Sequence, residues 1–322
     1  MITGIDCSKD IFDVVMLNDD QVVFEGLFSN DLKGFKSFLK KVKDSHLVVM
    51  EATGPYYLPL ALFLYENKVN VSIINPLVIK RFSQMRMIRA KTDRKDALVI
   101  AQYGQVEKPK LWEPPSALHF KIQQLNSYSE GLIRRRAVAN SQLHAFECSG
   151  QITNQLRRQL KIEIQDYDTR IRQVEKEVQK LLEDAYGQVY QNLQTIPGIG
   201  PKSAALLLIM TNGFESFESY KQVISYFGLA PRIFQSGSSV YGKSKICKMG
   251  MSKVRKTLYM AARSAIKCNK ACKELYERLR SKGKSHRLAL IAAANKLIKQ
   301  SFAIVKNNMK YNPAFVSVLI SK

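Results

Sequence analysis

The chain has 322 residues, 46% of them hydrophobic, and a formal net charge of +23. That length suggests two or three domains, with ample apolar material for a core. No stretch is expected to reach the length of a membrane span, the N-terminus lacks the basic-then-apolar layout of a signal peptide, and the five cysteines (Cys7, Cys148, Cys247, Cys268, Cys272) form no Cys-x-x-Cys pair, which argues against a zinc site or a disulfide framework and for the reducing cytoplasm.

Residues 1 to about 104 read as α/β. The apolar segments Ile2–Asp6, Phe12–Leu17 and Val22–Phe28 are separated by turn residues at 8–10 and 18–20, which predicts three strands. Asn30 and Asp31 suit the cap of a helix whose face carries Phe35, Phe38 and Leu39. Leu47–Met50 predicts a short buried strand, Tyr57–Leu64 a helix and Val69–Ile74 another strand, and Pro76 suits the first turn of the next helix. Three strands followed by alternating helix and strand predict a mixed sheet flanked by helices, an order that also fits the ribonuclease-H-like architecture.

Four acids punctuate this region. Asp6 follows the first apolar run, Glu51 ends the run Leu47–Met50, and Asp93 and Asp96 stand three apart in Lys-Thr-Asp-Arg-Lys-Asp-Ala. A carboxylate at the end of a buried strand is costly unless a cation meets it. Residues three apart on a helix point one way. Two strand ends and a helix can therefore bring four carboxylates together as a hard oxygen site for Mg²⁺ or Mn²⁺. Taken singly, Asp6 can be a turn residue, Glu51 a helix N-terminal charge and Asp93 a helix cap. Around the last pair stand Lys80, Arg81, Arg86, Arg89, Lys91, Arg94 and Lys95, which can draw a polynucleotide backbone inward or soften repulsion among the acids.

The proline-rich segment 108–115 marks a boundary. Beyond it Leu156, Leu160, Ile164, Tyr167, Ile171, Val174, Val178 and Leu181 recur at intervals of three and four, which predicts a long helical hairpin or coiled coil over about 116–185. The same stripe serves a core or a self-association arm, and self-association is the expectation. Ile-Pro-Gly-Ile-Gly at 196–200 then leads to the apolar helix Ala204–Met210. Gly198 and Gly200 either present backbone N–H groups to a phosphate, as in helix–hairpin–helix modules, or make a tight turn. Between Pro231 and Lys310 there are twenty lysines and arginines against two acids, Glu274 and Glu277. So local a surplus points to DNA or RNA. Within it a polar loop, 235–245, carries Ser236 beside Gly237 and precedes a basic helix, Lys253–Lys267. A serine amid cations can attack a phosphodiester, although no histidine is near in sequence to serve as its base.

The Gly-Ile-Asp at 4–6, the Met-Glu-Ala-Thr-Gly at 50–54 and the Lys-Thr-Asp-Arg-Lys-Asp-Ala at 91–97 resemble the DEDD transposases of insertion-sequence family one-ten. The later Ile-Pro-Gly-Ile-Gly, Phe-Gly-Leu-Ala-Pro at 227–231 and Gln-Ser-Gly at 235–237 resemble the C-terminal transposase domain of that family. The resemblance implies a RuvC-like, ribonuclease-H-like domain at 1–110 with Asp6, Glu51, Asp93 and Asp96 binding Mg²⁺. It implies a coiled-coil multimerisation segment at 111–187 and a mostly helical transposase domain at 188–322. It also implies that Ser236, rather than its neighbours Ser238 and Ser239, forms a covalent phosphoserine link to DNA. A non-coding bridge RNA is then expected to pair with donor and target DNA. The active site would unite the acids of one subunit with the serine of another in a homo-tetramer or dimer, and strand exchange would pass through a Holliday-junction-like intermediate. Arg94, Lys95, Lys243, Lys245, Lys248 and Arg255 are expected to meet phosphates. The competing readings are a junction nuclease that uses water as nucleophile, a non-catalytic nucleic-acid-binding protein, and an actin-like ATPase. The last lacks its glycine- and threonine-rich phosphate loop at Cys7–Asp10.

Overall fold

The computed structural model describes residues 1–42, 47–87, 92–232, 235–236, 240–241 and 245–314, with 235–236 and 240–241 described by their backbone. The chain divides into two compact units, Met1–Pro114 and Pro115–Lys322.

The first unit is built on strands β1 (Ile2–Cys7), β2 (Ile11–Asn18), β3 (Gln21–Ser29), β4 (Leu47–Glu51) and β5 (Asn70–Ile74), in the order β3-β2-β1-β4-β5. The first three form an antiparallel meander, and β4 and β5 add in parallel beside β1. This is the mixed sheet expected, and it is consistent with a ribonuclease-H-like domain. Helices α1 (Leu32–Leu39) and α2 (Leu58–Glu66) cover one face. There Phe35, Phe38, Leu60 and Leu64 pack on Ile5, Phe12, Val14, Val48 and Met50. Helices α3 (Pro76–Met85) and α4 (Asp93–Glu107) cover the other, where Val99 and Ile100 pack on Val49 and Ile74. Asp31 caps α1 through Gly34 N–H, and Asn75 caps α3 through Leu77 N–H with Pro76 in the first turn.

One close approach sets the position of α4. A side chain at Gly4 on β1 would stand 2.2 Å from the Ala97 carbonyl oxygen and 2.3 Å from the Ala101 nitrogen. The missing Cβ lets the helix backbone lie directly on the strand.

The second unit begins with α5 (Ala117–Cys148) and α6 (Asn154–Gln194). Ion pairs Lys121–Glu177, Arg136–Asp168 and Arg157–Glu147 show that the two helices run antiparallel. The predicted stripe is largely spent inside this unit, because Leu160, Ile171 and Val178 are buried and Val174 and Leu181 pack against the core. Helix α6 also runs past the expected end at 185, with a break at Gly187, whose φ of 42° and ψ of −117° leave helical geometry. Helices α7 (Pro201–Thr211), α8 (Tyr220–Tyr226), α9 (Ser252–Cys268), α10 (Lys270–Ser281) and α11 (His286–Asn307) complete the unit. Their core includes Leu207, Leu208, Phe214, Phe227, Leu258, Ala262, Leu290, Leu297 and Ile298.

One stretch does reach the length of a membrane span, contrary to expectation. Helix α11, with 22 residues, is long and apolar enough by length and composition to cross a membrane. Its Ala289, Leu290, Ala293, Ala294, Leu297 and Ile298 are fully buried against the neighbouring helices, so the run is apolar because it forms the centre of this core.

A buried histidine gives this unit a pH dependence. His119 lies 2.8 Å from the Tyr186 hydroxyl through Nδ1 and 2.9 Å from Gln123 Nε2 through Nε2. Burial holds its pKa below the usual range, with the Ile209 backbone pulling weakly the other way. The unfolded chain therefore binds the proton more readily between the folded pKa and about 6.5, and stability falls as pH drops through that window. In denaturant unfolding this one proton should contribute a loss of stability from pH 7 towards pH 5 of at most about 1.4 kcal/mol per pH unit, against the opposite contribution of Asp6 in the first unit, whose raised carboxyl favours the folded state as pH falls. His119→Gln should flatten that slope; an unchanged slope would remove His119 as its source.

Candidate metal centre and nucleic-acid interface

Asp6 is the last residue but one of β1, and Glu51 is the last of β4. Because Ile5 pairs with Met50 in parallel register, Asp6 and Glu51 stand side by side at the same end of neighbouring strands. Asp93 and Asp96 occupy the first turn of α4. The cap of that helix is Thr92, whose Oγ1 accepts from Lys95 N–H at 3.3 Å. Capping is thus not the job of Asp93.

Carboxylate oxygens of Asp6, Asp93 and Asp96 all lie within 4.8 Å of one another. Glu51 is not in that tight group. Its Oε1 accepts a hydrogen bond from the Thr53 hydroxyl, and its charge acts on Asp6. Burial, then Asp96, Asp93, Glu51 and Asp13, push the Asp6 carboxyl up to about 6. Such crowding of like charge in a half-buried place is what a divalent cation relieves.

Asp13 was not among the expected acids. It pairs across the hairpin with Asp6, and burial with the charge of Asp93 raises its carboxyl above the usual range. Its sequence context, inside the predicted strand Phe12–Leu17, reads as strand and nothing more; only the β1–β2 register reveals its neighbour. Arg94, expected to meet phosphate, forms an ion pair with Glu25 on β3. Lys95 is exposed. Arg89 and Lys91 lie outside the described residues.

In the second unit Ser236 sits in a narrow ribbon. Strands β6 (Pro231–Arg232) and β9 (Lys245–Ile246) form its root, and β7 (Gln235–Ser236) and β8 (Val240–Tyr241) pair further out. Gly237, Ser238, Ser239 and Lys243 lie outside the described residues, as does the Ser236 side chain. The root is tied down by Cys247 N–H to the Ala230 carbonyl at 2.8 Å and Lys248 N–H to the Gly228 carbonyl at 3.0 Å. Arg255, expected to meet phosphate, donates to the Phe227 carbonyl at 3.1 Å and so binds α9 to the same root. Lys245 and Lys248 are exposed.

The two glycines of the 196–200 turn differ. Gly198 has a φ of 101°, and a side chain there would lie 2.6 Å from Ala265 Cβ, so its closeness is to α9. Gly200 has nothing within 4 Å of its missing Cβ, and as N-cap of α7 it carries no side-chain cap. Beside it a cleft of about 440 Å³ is lined by Arg172, Lys176, Lys202 and Lys253 together with Glu130 and Glu175. Lys202 pairs with Glu175 at 2.7 Å, and Lys253 pairs with Glu130.

Comparison with known proteins gives this geometry a family. A DEDD model for IS110, described as "Transposase", matches residues 3–146, which contain all four expected acids. A second, described as "Transposase IS116/IS110/IS902 family", matches residues 190–277, which contain Ser236. The chain is 30% identical to the pilin gene-inverting protein of Moraxella lacunata, over 96% of this chain and 97% of that protein. It is likewise 30% identical to the pilin gene-inverting protein of Moraxella bovis, over the same shares. An uncharacterized 43.6 kDa protein of insertion element IS110 from Streptomyces coelicolor is 30% identical over 119 residues, 37% of this chain and 29% of that one. The molecule is therefore a DNA transposase/recombinase, an enzyme that acts on DNA strands. It belongs to the IS110 family of transposases.

The acidic cluster fits the divalent-metal dependence that a DEDD domain suggests. Its donors are carboxylate oxygens alone, the set preferred by hard cations.

Proposed function

We propose that this transposase cuts and rejoins DNA with two chemical centres: a Mg²⁺ or Mn²⁺ centre held by Asp6, Glu51, Asp93 and Asp96, and Ser236, which carries the cut strand. The observation that carries the reading is the convergence of Asp6, Asp93 and Asp96 within 4.8 Å, with Glu51 on the strand beside Asp6. Bound metal would supply charge neutralisation at the scissile phosphate and acidify the attacking hydroxyl.

The serine Oγ forms a bond to phosphorus as the bond from phosphorus to one sugar oxygen breaks. The departing sugar oxygen takes up a proton, and the serine proton passes to solvent. One phosphodiester is exchanged for another, so a sugar hydroxyl can attack the phosphoserine in turn and rejoin a strand without an outside energy source. Lys245 and Lys248 at the ribbon root, Lys95 beside the acids, and Lys243 neutralise backbone phosphates. The open Gly200 side of the α6–α7 turn offers a further phosphate contact. Arg94 and Arg255 act from their present partners, holding α4 and the ribbon root.

Sequence choice in this reading comes from a bridge RNA paired with donor and target DNA, while the protein reads backbone and shape. The acids of one subunit serve the serine of another in a homo-tetramer or dimer assembled through α5 and α6. The enzyme works in the cytoplasm, at the nucleoid. A second outcome of the same chemistry is favoured by the near full-length match to two pilin gene-inverting proteins: exchange between two sites of opposite orientation on one molecule inverts the DNA between them.

The test is a covalent trap. Protein, guide RNA, donor and target DNA and Mg²⁺ are combined and resolved on a denaturing gel. Wild type should give a protein–DNA band that Ser236→Ala and Asp93→Ala both lose, by at least about 100-fold. Cleavage that survives in Ser236→Ala with no shifted band would instead identify a metal-dependent junction nuclease using water.

A further inference from the structure

Three carboxylates form one row across three adjacent strands. The antiparallel register sets Asp13 of β2 opposite Asp6 of β1. The parallel register, one step beyond the Ile5–Met50 pair, sets Glu51 of β4 on the other side of Asp6. Residues paired across strands share a face of the sheet. This face is the one α4 covers, because Val15 and Leu17, of the same parity as Asp13, pack with Ala97 and Ala101. Along β1, Gly4 lies against Ala97 and Ala101 while Asp6 reaches Asp93 and Asp96. Asp13 therefore faces the first turn of α4, where the cluster is.

We propose that Asp13 is a fifth carboxylate of the metal centre, binding the ion directly or through one of its waters from the hairpin side. The proposal rests on the metal reading given above. Cβ atoms directly opposite on antiparallel strands are about 4.5–5.5 Å apart, and like charges so placed destabilise the pair. That spacing lets both carboxylates reach one cation or its first water. Among the described residues Asp13 and Asp6 make no ion pair, and Arg94, beside Asp93 in sequence, is paired with Glu25. An aspartate kept for the strand alone would gain nothing from this position. A ligand of the same ion gains from it directly.

The experiment is a Mn²⁺ titration of the full chain, read by calorimetry and by thermal unfolding, with wild type, Asp13→Asn, Asp13→Glu and the exposed control Glu66→Gln. Asp13→Asn removes one charge at constant shape. Its metal-free form should melt at or above the wild-type temperature, since a repulsion is gone, while its Mn²⁺ affinity should weaken by about tenfold or more. Asp13→Glu should recover part of that loss, and Glu66→Gln should match wild type. Unchanged Mn²⁺ affinity in Asp13→Asn, with wild type binding normally, overturns the assignment of Asp13 and leaves the four-acid centre standing. A lower metal-free melting temperature with unchanged affinity overturns it in favour of a structural role. Absence of Mn²⁺ binding in wild type overturns the metal reading itself and this assignment with it.

Discussion

Gly4→Ala is expected to abolish most strand cleavage while leaving a folded protein. The new Cβ would lie 2.2 Å from the Ala97 carbonyl oxygen and 2.3 Å from the Ala101 nitrogen. Both are helix backbone and cannot swing aside, so α4 must lift from β1. Overpacking of this kind costs about 1–3 kcal/mol, at times more. The functional cost is larger, because Asp6 lies two residues along the same strand and Asp93 and Asp96 lie at the start of the displaced helix. A misplacement of about 1 Å at a reacting centre can cost about 100-fold in rate. Cleavage by Gly4→Ala should fall by that order, with Mn²⁺ affinity falling alongside and circular dichroism retained. Gly104→Ala is the contrast. Its Cβ would meet Val49 Cγ2 at 2.6 Å, a side-chain methyl on β4 rather than the backbone that joins Asp6 to α4, so its loss should be several-fold at most. Equal activity of Gly4→Ala and wild type would mean that the strand–helix contact does not set the acidic site.

Much of this site was legible from the residues alone, and the reasons are specific. Asp6 and Glu51 stand out because each interrupts an apolar run where a buried strand ends, and Asp93 and Asp96 because helical spacing aligns them. The order of three strands followed by alternating helix and strand likewise pointed to a mixed sheet, while the meander and the parallel additions came from the pairing itself. What the residues withheld depended on pairing at a distance. Asp13 is hidden inside a strand until the hairpin register puts it opposite Asp6. The hydrophobic stripe of α6 fits an inner seam or an outer one equally well, and only the presence of α5 alongside shows where Leu160, Ile171 and Val178 are spent. Arg94 and Arg255 look alike as phosphate ligands in a basic sequence, and the fold gives each a first partner the sequence does not show, Glu25 for one and the Phe227 carbonyl for the other. Charge composition reports how many cations a surface has, not which of them the fold has already engaged.

Gly250→Ala is expected to stop formation of the serine–DNA adduct without weakening metal binding by the first unit. Gly250 has a φ of 135°, and a side chain there would stand 2.4 Å from the Tyr226 carbonyl oxygen. Gly228, across the same root, has a φ of 71°, and its side chain would stand 2.4 Å from the Met249 carbonyl oxygen. Two backbones cross here with no room for a Cβ, and the hydrogen bonds from Cys247 to Ala230 and from Lys248 to Gly228 depend on that crossing. Residue strain in this region costs about 1–3 kcal/mol, before the clash is counted. Opening the root would release the pairing of Pro231 with Ile246 and of Arg232 with Lys245, the frame that precedes Ser236 by only four residues. The attacking hydroxyl would lose its aim, and the trapped adduct should fall by about 100-fold. Mn²⁺ affinity should stay at the wild-type value, since the acids belong to a separate compact unit. Gly4→Ala and Gly250→Ala thus fail in different assays, the first in metal binding and cleavage together, the second in adduct formation alone. A full adduct yield from Gly250→Ala would show that the ribbon root does not position the serine.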